Sequence, residues 1–203
     1  MNNKPKWIIF DVGNVLYDFI SFNKEMIKIT GINEVEFLKS IDPLTRNTME
    51  GQISATDLFK KYLDHFDKSH KHQEIVRIWK EEEKYWLSDT KKLIGELDKV
   101  GYKIAILTNN WLNQTEMLRK NLSSAGNIQF FIESSVEKIS KPDKKIYRLA
   151  EDRINAKGDE IFFIDDTKEY IMSASEINWQ TFLYKIGDDN GLTSNNNIRS
   201  ILL

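Results

Sequence analysis

Three short stretches of this chain are apolar almost without interruption, and each runs straight into polar residues. They are "WIIF" before Asp11, "YKIAIL" before Thr108 and "EIFFI" before Asp165. Runs this short do not alternate and do not keep helical spacing. They read as β-strands covered on both faces, which is the condition of a parallel sheet with helices packed above and below. A further run, "TFLY" at 181–184, reads as one more strand.

Amphipathic stretches of helical period separate the second and third runs, so this part reads strand–helix–strand. The helix ahead of the second strand carries Leu93, Ile94, Leu97 and Val100 on one face. Ser88–Asp89–Thr90 offers it an N-cap, and Gly101 suits its stop. Residues from about Phe19 to Leu87 contain helical patterns and no convincing buried strand, among them Leu58, Tyr62, Leu63 and Phe66, then Ile75, Ile78, Trp79 and Trp86. The reading is an α/β fold, a Rossmann-like parallel core made of residues 1–17 and 88–203. Residues 18–87 are inserted as an α-helical cap, with the Trp stripe as bundle packing. The tail "GDDNGLTSNNNIRS" reads as turn-rich and mobile.

Composition limits the function. Apolar residues make up 40% of the 203 and charged residues 30%, as in an ordinary globular chain. A net charge of -2 leaves no electrostatic footprint for nucleic acid or an anionic membrane surface, so neither is expected as a partner. The absence of cysteine excludes disulfides, thiolate nucleophiles and zinc–thiolate sites, and it suits a reducing cytoplasm. "WIIF" is too short for the apolar segment of a signal peptide, and no run reaches membrane-span length.

In open parallel sheets, ligands bind beyond the carboxyl ends of the strands. Those ends carry Asp11, Gly13 and Asn14, then Thr108, Asn109 and Asn110, then Asp165 and Asp166. Lys141 adds a cation at the head of a helix in which Pro142 stands as an N1 residue would. Carboxylate and carbonyl oxygens of this kind suit Mg²⁺. A carboxylate held against a cation stays ionised and can act as a nucleophile, forming an aspartyl-phosphate. Thr108 and Lys141 are then placed to stabilise the transferring phosphoryl group.

The ordered set "FDVGNVL … ILTNNW … SKPDKKIY … FFIDDTKEY" resembles the haloacid dehalogenase-like hydrolase superfamily over nearly the whole chain. Within it, the subgroup with a helical cap is similar, including bacterial glucose-1-phosphate phosphatases and the phosphatase domain of soluble epoxide hydrolases. "MEGQISATDLF" resembles a cap segment of that subgroup. The resemblance implies a Mg²⁺-dependent phosphatase acting on a small phosphorylated metabolite, with a sugar phosphate as one option. Asp11 is then nucleophile and metal ligand, Gly13 a ligand through its carbonyl, Asp166 a further ligand, and Asp165 a ligand or its partner. Thr108, Lys141, Asn109 and Asn14 contact the substrate.

Two positions depart from the family pattern. Most family phosphatases carry a second Asp two residues after the nucleophile, to protonate the leaving oxygen. Here that residue is Gly13. Loss of a general acid costs about 10²–10⁴-fold, and less when the leaving group is a weak base. Because the related glucose-1-phosphate phosphatases carry the same glycine, it does not mean an inactive enzyme. Tyr170 stands where relatives often carry a further metal-binding Asn or Asp, with Glu169 beside it. These departures keep open an alternative, a non-catalytic family member that binds a phosphometabolite or a protein. Dehalogenation is disfavoured, because family dehalogenases do not use Mg²⁺. His65, His70 and His72 lie in a charged part of the cap and read as solvated, with His65 as a proton donor only if its helix faces the core.

Overall fold

Trp7–Phe10 (β1), Lys103–Thr108 (β3), Ile128–Glu133 (β5), Ile161–Asp165 (β6) and Gln180–Leu183 (β7) form one parallel sheet in the order β5-β3-β1-β6-β7. The computed structural model in which this is seen describes residues 4–46 and 48–203, so residues 1–3 of the expected core lie outside the described residues. The chain leaves β1 for β3 and β5 on one side, then returns to β6 and β7 on the other. The switch in direction therefore falls at the carboxyl end of β1.

Burial explains the uninterrupted runs. Ile8, Phe10, Ile104, Ile106, Phe162 and Ile164 enter one core, while Trp7, Ile9, Ala105, Leu107, Ile161 and Phe163 enter a second core on the opposite face. Successive side chains of a strand point to opposite faces, so both must be apolar when both are covered. Helices Ser88–Lys99 (α5) and Leu192–Leu202 (α10) cover the first face. Lys144–Ile154 (α8) and Lys168–Ser175 (α9) cover the second. Thr115–Leu122 (α6) and Ser134–Glu137 (α7) complete the connections around β5.

Between β1 and α5 lie Phe19–Thr30 (α1), Glu34–Arg46 (α2), Glu50–Ser54 (β2), Ala55–His65 (α3) and His72–Lys80 (α4). None of these contributes a strand to the main sheet. Their apolar residues, Phe22, Met26, Leu58 and Trp79 among them, are continuous with the first core. Strand β2 pairs in parallel with Asn110–Leu112 (β4), which leaves the main sheet directly after Thr108.

Four local expectations are corrected. Ser88–Asp89–Thr90 does not cap α5: Leu87 holds the N-cap without a side-chain bond, Asp89 pairs with Arg199, and Thr90 is buried against Tyr184. Val100 is exposed at the end of that helix, just before Gly101 at φ +94°. The tail is turn only through Gly191 and helical from Leu192, where Arg199 ties α10 to Asp89 at 3.0 Å and Glu96 at 2.7 Å while Ile198 and Leu202 are buried. Pro142 precedes α8 rather than standing first in it. The N-cap is Asp143, whose carboxylate accepts from the Lys145 amide.

Candidate active site

Asp11 follows β1, with its amide bonded to the Ile164 carbonyl at 2.9 Å and its side chain almost wholly buried. Lys141 reaches it from the loop before α8. Its ammonium lies 2.8 Å from Asp11 Oδ1, 2.6 Å from Asp165 Oδ2 and 3.1 Å from the Leu107 carbonyl, so all three donors are matched. Burial works against this charge, but the two carboxylates outweigh it and hold Lys141 protonated well above its ordinary range. The loop is fixed by a reciprocal pair at 2.9 Å: Asn109 Nδ2 donates to the Lys141 carbonyl, and the Lys141 amide donates to Asn109 Oδ1.

The two adjacent acids have separate duties. Asp165, fully buried, is held by Lys141 and by the Thr167 amide at 2.8 Å. Asp166 turns the other way, accepting from Asn14 Nδ2 at 2.9 Å and Thr167 Oγ1 at 3.2 Å. Asp11, Asp165 and Asp166 each offer an oxygen within 4.8 Å of the others. Burial first, and the Asp11 charge second, raise the pKa of Asp166. Burial also lifts Asp165, against the pull of Lys141. Three carboxylates against one ammonium leave a deficit that one divalent cation cancels, and oxygen donors are what Mg²⁺ takes. Asn14 Oδ1 is buried without a partner among the described residues, a further oxygen beside this cluster. The donor set fits the cation.

Asp11, Gly13, Asn14, Thr108, Asn109, Lys141 and Asp166 all line one cavity of about 280 Å³ between the sheet ends and the inserted helices. Thr108 is buried, its hydroxyl only 3.4 Å from the Asn109 carbonyl. Asn109, expected to contact substrate, has its amide engaged with Lys141 and with the Tyr170 hydroxyl at 3.3 Å. Asn14, expected likewise, is turned onto Asp166.

At the first departure, a Cβ added to Gly13 would meet the Phe19 ring at 3.5 Å and Asp11 Oδ2 at 3.7 Å, which is ordinary contact. Phe19 therefore stands beside the place a proton donor would take. At the second, the Tyr170 ring packs 4.9 Å from the Lys141 ammonium. Glu169 is exposed and outside the carboxylate cluster. His65 and His70 are exposed, and His72 bonds the Thr56 carbonyl, so no histidine lines the cavity.

Sequence reasoning missed two features. Buried Glu133, at the end of β5, accepts from Asn110 Nδ2 at 2.6 Å and Thr115 Oγ1 at 2.9 Å and anchors the chain after Thr108. The acid directly after "IQFFI" was the available signal. The other is the aromatic wall of the cavity, where Phe19, Trp79 and Trp111 stand with ring centroids 6.2–6.4 Å apart. No spacing rule separates such a wall from bundle packing.

A family model described as haloacid dehalogenase-like hydrolase matches residues 5–178. The chain belongs to this family. Among curated proteins, bifunctional epoxide hydrolase 2 of Sus scrofa is 30% identical over 96 residues, 45% of this chain and 17% of that protein. The Mus musculus protein is 32% identical over 92 residues, 43% of this chain and 16% of that one. The matched stretch thus spans a small part of these relatives. Of solved structures, a dehalogenase with an intermediate complex superposes at a TM-score of 0.76 with 17% identity, covering 100% of this chain and 99% of that one. A family enzyme of Bacteroides thetaiotaomicron, in complex with magnesium and inorganic phosphate, superposes at 0.68 with 20% identity over 91% of this chain and 96% of that one. These similarities establish a hydrolase of the family and its fold. Among the described residues, no helix is long and apolar enough to cross a membrane.

Proposed function

We propose that the chain is a Mg²⁺-dependent phosphatase acting on a small phosphorylated metabolite, with residues 18–87 as the cap over a core of 1–17 and 88–203. One observation carries this reading. The buried Asp11 is held by Lys141 on one oxygen and faces a cavity beside a second carboxylate, Asp166. Asp11, Asp166 and the Gly13 carbonyl would hold Mg²⁺, which supplies charge neutralisation at the phosphoryl oxygens.

The steps assigned to this chain are few. Lys141 holds Asp11 in place and offsets its charge. Asp11 attacks phosphorus, forming an acyl phosphate as the ester P–O bond breaks. Thr108 donates to the phosphoryl oxygens, and Lys141 offsets their charge. Water then attacks phosphorus, releasing phosphate and the Asp11 carboxylate. With Gly13 at the position of the missing acid and no histidine in the cavity, the leaving group departs without a proton from position 13. That favours esters of weakly basic alcohols.

The test is phosphate release from p-nitrophenyl phosphate, acetyl phosphate and sugar 1-phosphates with Mg²⁺, using Asp11→Asn as control. Asp11-dependent release is expected. If none is found while phosphate esters still bind, the non-catalytic alternative takes its place. Chloride release from 2-chloropropionate without Mg²⁺ would instead put the chain with the dehalogenases it superposes on.

A further inference from the structure

The cavity has two unlike ends. Among the described residues, Asp11, Lys141 and Asp166 supply the charged side chains that line it, and all three lie at the sheet. The wall from the inserted helices is built differently. Phe19 stacks on Trp79 at 6.2 Å with 24° between the rings, and Trp111 from β4 meets both edge-on. Met26, Met49 and Leu58 fill in around these rings, and the amides of Asn23, Asn110 and Gln114 lie among them. Trp86 lines the same wall, and its buried Nε1 has no hydrogen-bond partner among the described residues.

A sugar carries several hydroxyls, each of which loses water on entry and needs a partner. This wall offers a few amides, an indole N–H and tyrosine hydroxyls, with no charged group among the described residues to pair with them. A flat apolar group, by contrast, meets ring faces and edges at the distances aromatic pairs favour. The position beside the leaving oxygen has the same bias. Phe19 rather than an acid stands next to Gly13, so an oxygen that must be protonated to leave is poorly served.

We propose that the substrates are small aryl phosphates, with the ring lodged among Phe19, Trp79 and Trp111 and the phosphate at Asp11. This rests on the phosphatase reading and narrows it, away from sugars. In the first step an Asp11 oxygen forms the bond to phosphorus, the P–O(aryl) bond breaks, and the aryl oxide leaves with the electron pair, unprotonated. In the second, water adds to phosphorus, the bond to Asp11 breaks, and phosphate leaves carrying the protons of that water.

The experiment measures kcat/KM with Mg²⁺ for 1-naphthyl phosphate, phenyl phosphate, glucose 1-phosphate and acetyl phosphate, in wild type and Asp11→Asn. Naphthol and phenol are leaving groups of similar basicity, so their ratio reads the apolar wall alone. Naphthyl is expected to exceed phenyl by about tenfold, from the extra apolar area buried. Phenyl is expected to exceed glucose 1-phosphate by about a hundredfold or more, through the weaker basicity of the leaving oxygen together with the wall. If glucose 1-phosphate equals phenyl phosphate, or naphthyl does not exceed phenyl, while acetyl phosphate is hydrolysed through Asp11, the aryl assignment is overturned and the phosphatase reading stands. If nothing is hydrolysed through Asp11, acetyl phosphate included, the phosphatase reading falls and takes this inference with it.

Discussion

The floor of the cavity and its roof are held together by opposite means. At the floor, Lys141 meets three acceptors, Asp165 is fully enclosed, and each amide of Asn109 and Asn14 has a named duty. At the roof, Phe19, Trp79 and Trp111 are positioned by area and ring geometry, with few polar constraints. A buried charge network fails when one member is removed, whereas an apolar wall loses strength in proportion to the surface taken away. Under the proposed function, the floor would therefore set whether chemistry occurs, and the roof on what.

Breaking the floor has the largest expected effect. Lys141→Met leaves Asp11 and Asp165 buried against each other without a cation. Turnover should vanish, and urea unfolding should show a loss of about 3–5 kcal/mol. Unchanged stability would mean the triad is far wetter than its burial implies. Next comes an exchange of character between the two regions. Gly13→Asp introduces an acid where a Cβ has room, provided Phe19 turns aside. For benzyl phosphate, whose leaving oxygen is strongly basic, kcat/KM should rise by up to about 10²-fold, and far less for phenyl phosphate. An equal change for both would show that position 13 does not reach the leaving oxygen.

A roof substitution should be milder. Trp79→Leu is expected to cut kcat/KM for 1-naphthyl phosphate roughly tenfold and that for acetyl phosphate much less. A uniform loss would place Trp79 in the support of the floor. Asp166→Asn separates charge from packing at the floor itself. Because burial raises the pKa of Asp166, its ionised form at neutral pH costs stability in the metal-free protein, and that cost disappears below the ordinary Asp range. The variant should melt a few degrees higher without Mg²⁺, at roughly 2–4 °C per kcal/mol, and lose the rise that Mg²⁺ gives wild type. The smallest effect lies away from both regions. Arg199 lowers the pKa of Asp89, so their pairing stabilises at neutral pH and is lost as pH falls through and below the usual Asp range. Arg199→Ala should cost about 0.5–1 kcal/mol at pH 7 and nothing near pH 2.

Much of the floor was legible in the chain. β1, β3 and β6 announce themselves because both of their faces are covered, and the residues after them converge because adjacent parallel strands end together. β5 did not, since it is an edge strand with Gln129 exposed and mixed burial. The β2–β4 pair is created by tertiary approach and leaves no local pattern. Within the site, sequence brings Asp165 and Asp166 forward as a pair but cannot say which one faces Lys141. That depends on how the strand end turns at Thr167. Asn109 and Tyr170 were legible as neighbours of the site, yet their duty toward Lys141 exists only once the loop is folded over them. The roof was the least legible part, because Trp79 and Trp86 satisfy core packing and line a cavity at once.

The glycine at position 13 and the triply bonded Lys141 also determine how the rate should vary with pH. A phosphatase with a general acid slows on the alkaline side as that acid loses its proton, which gives a bell. Here no side chain at position 13 has a proton to lose, and Lys141 is held protonated well above its ordinary range by the carboxylates around it. Only the acidic limb remains, where Asp166, its pKa raised by burial, must give up its proton. The profile should climb and then level off across neutral and mildly alkaline pH.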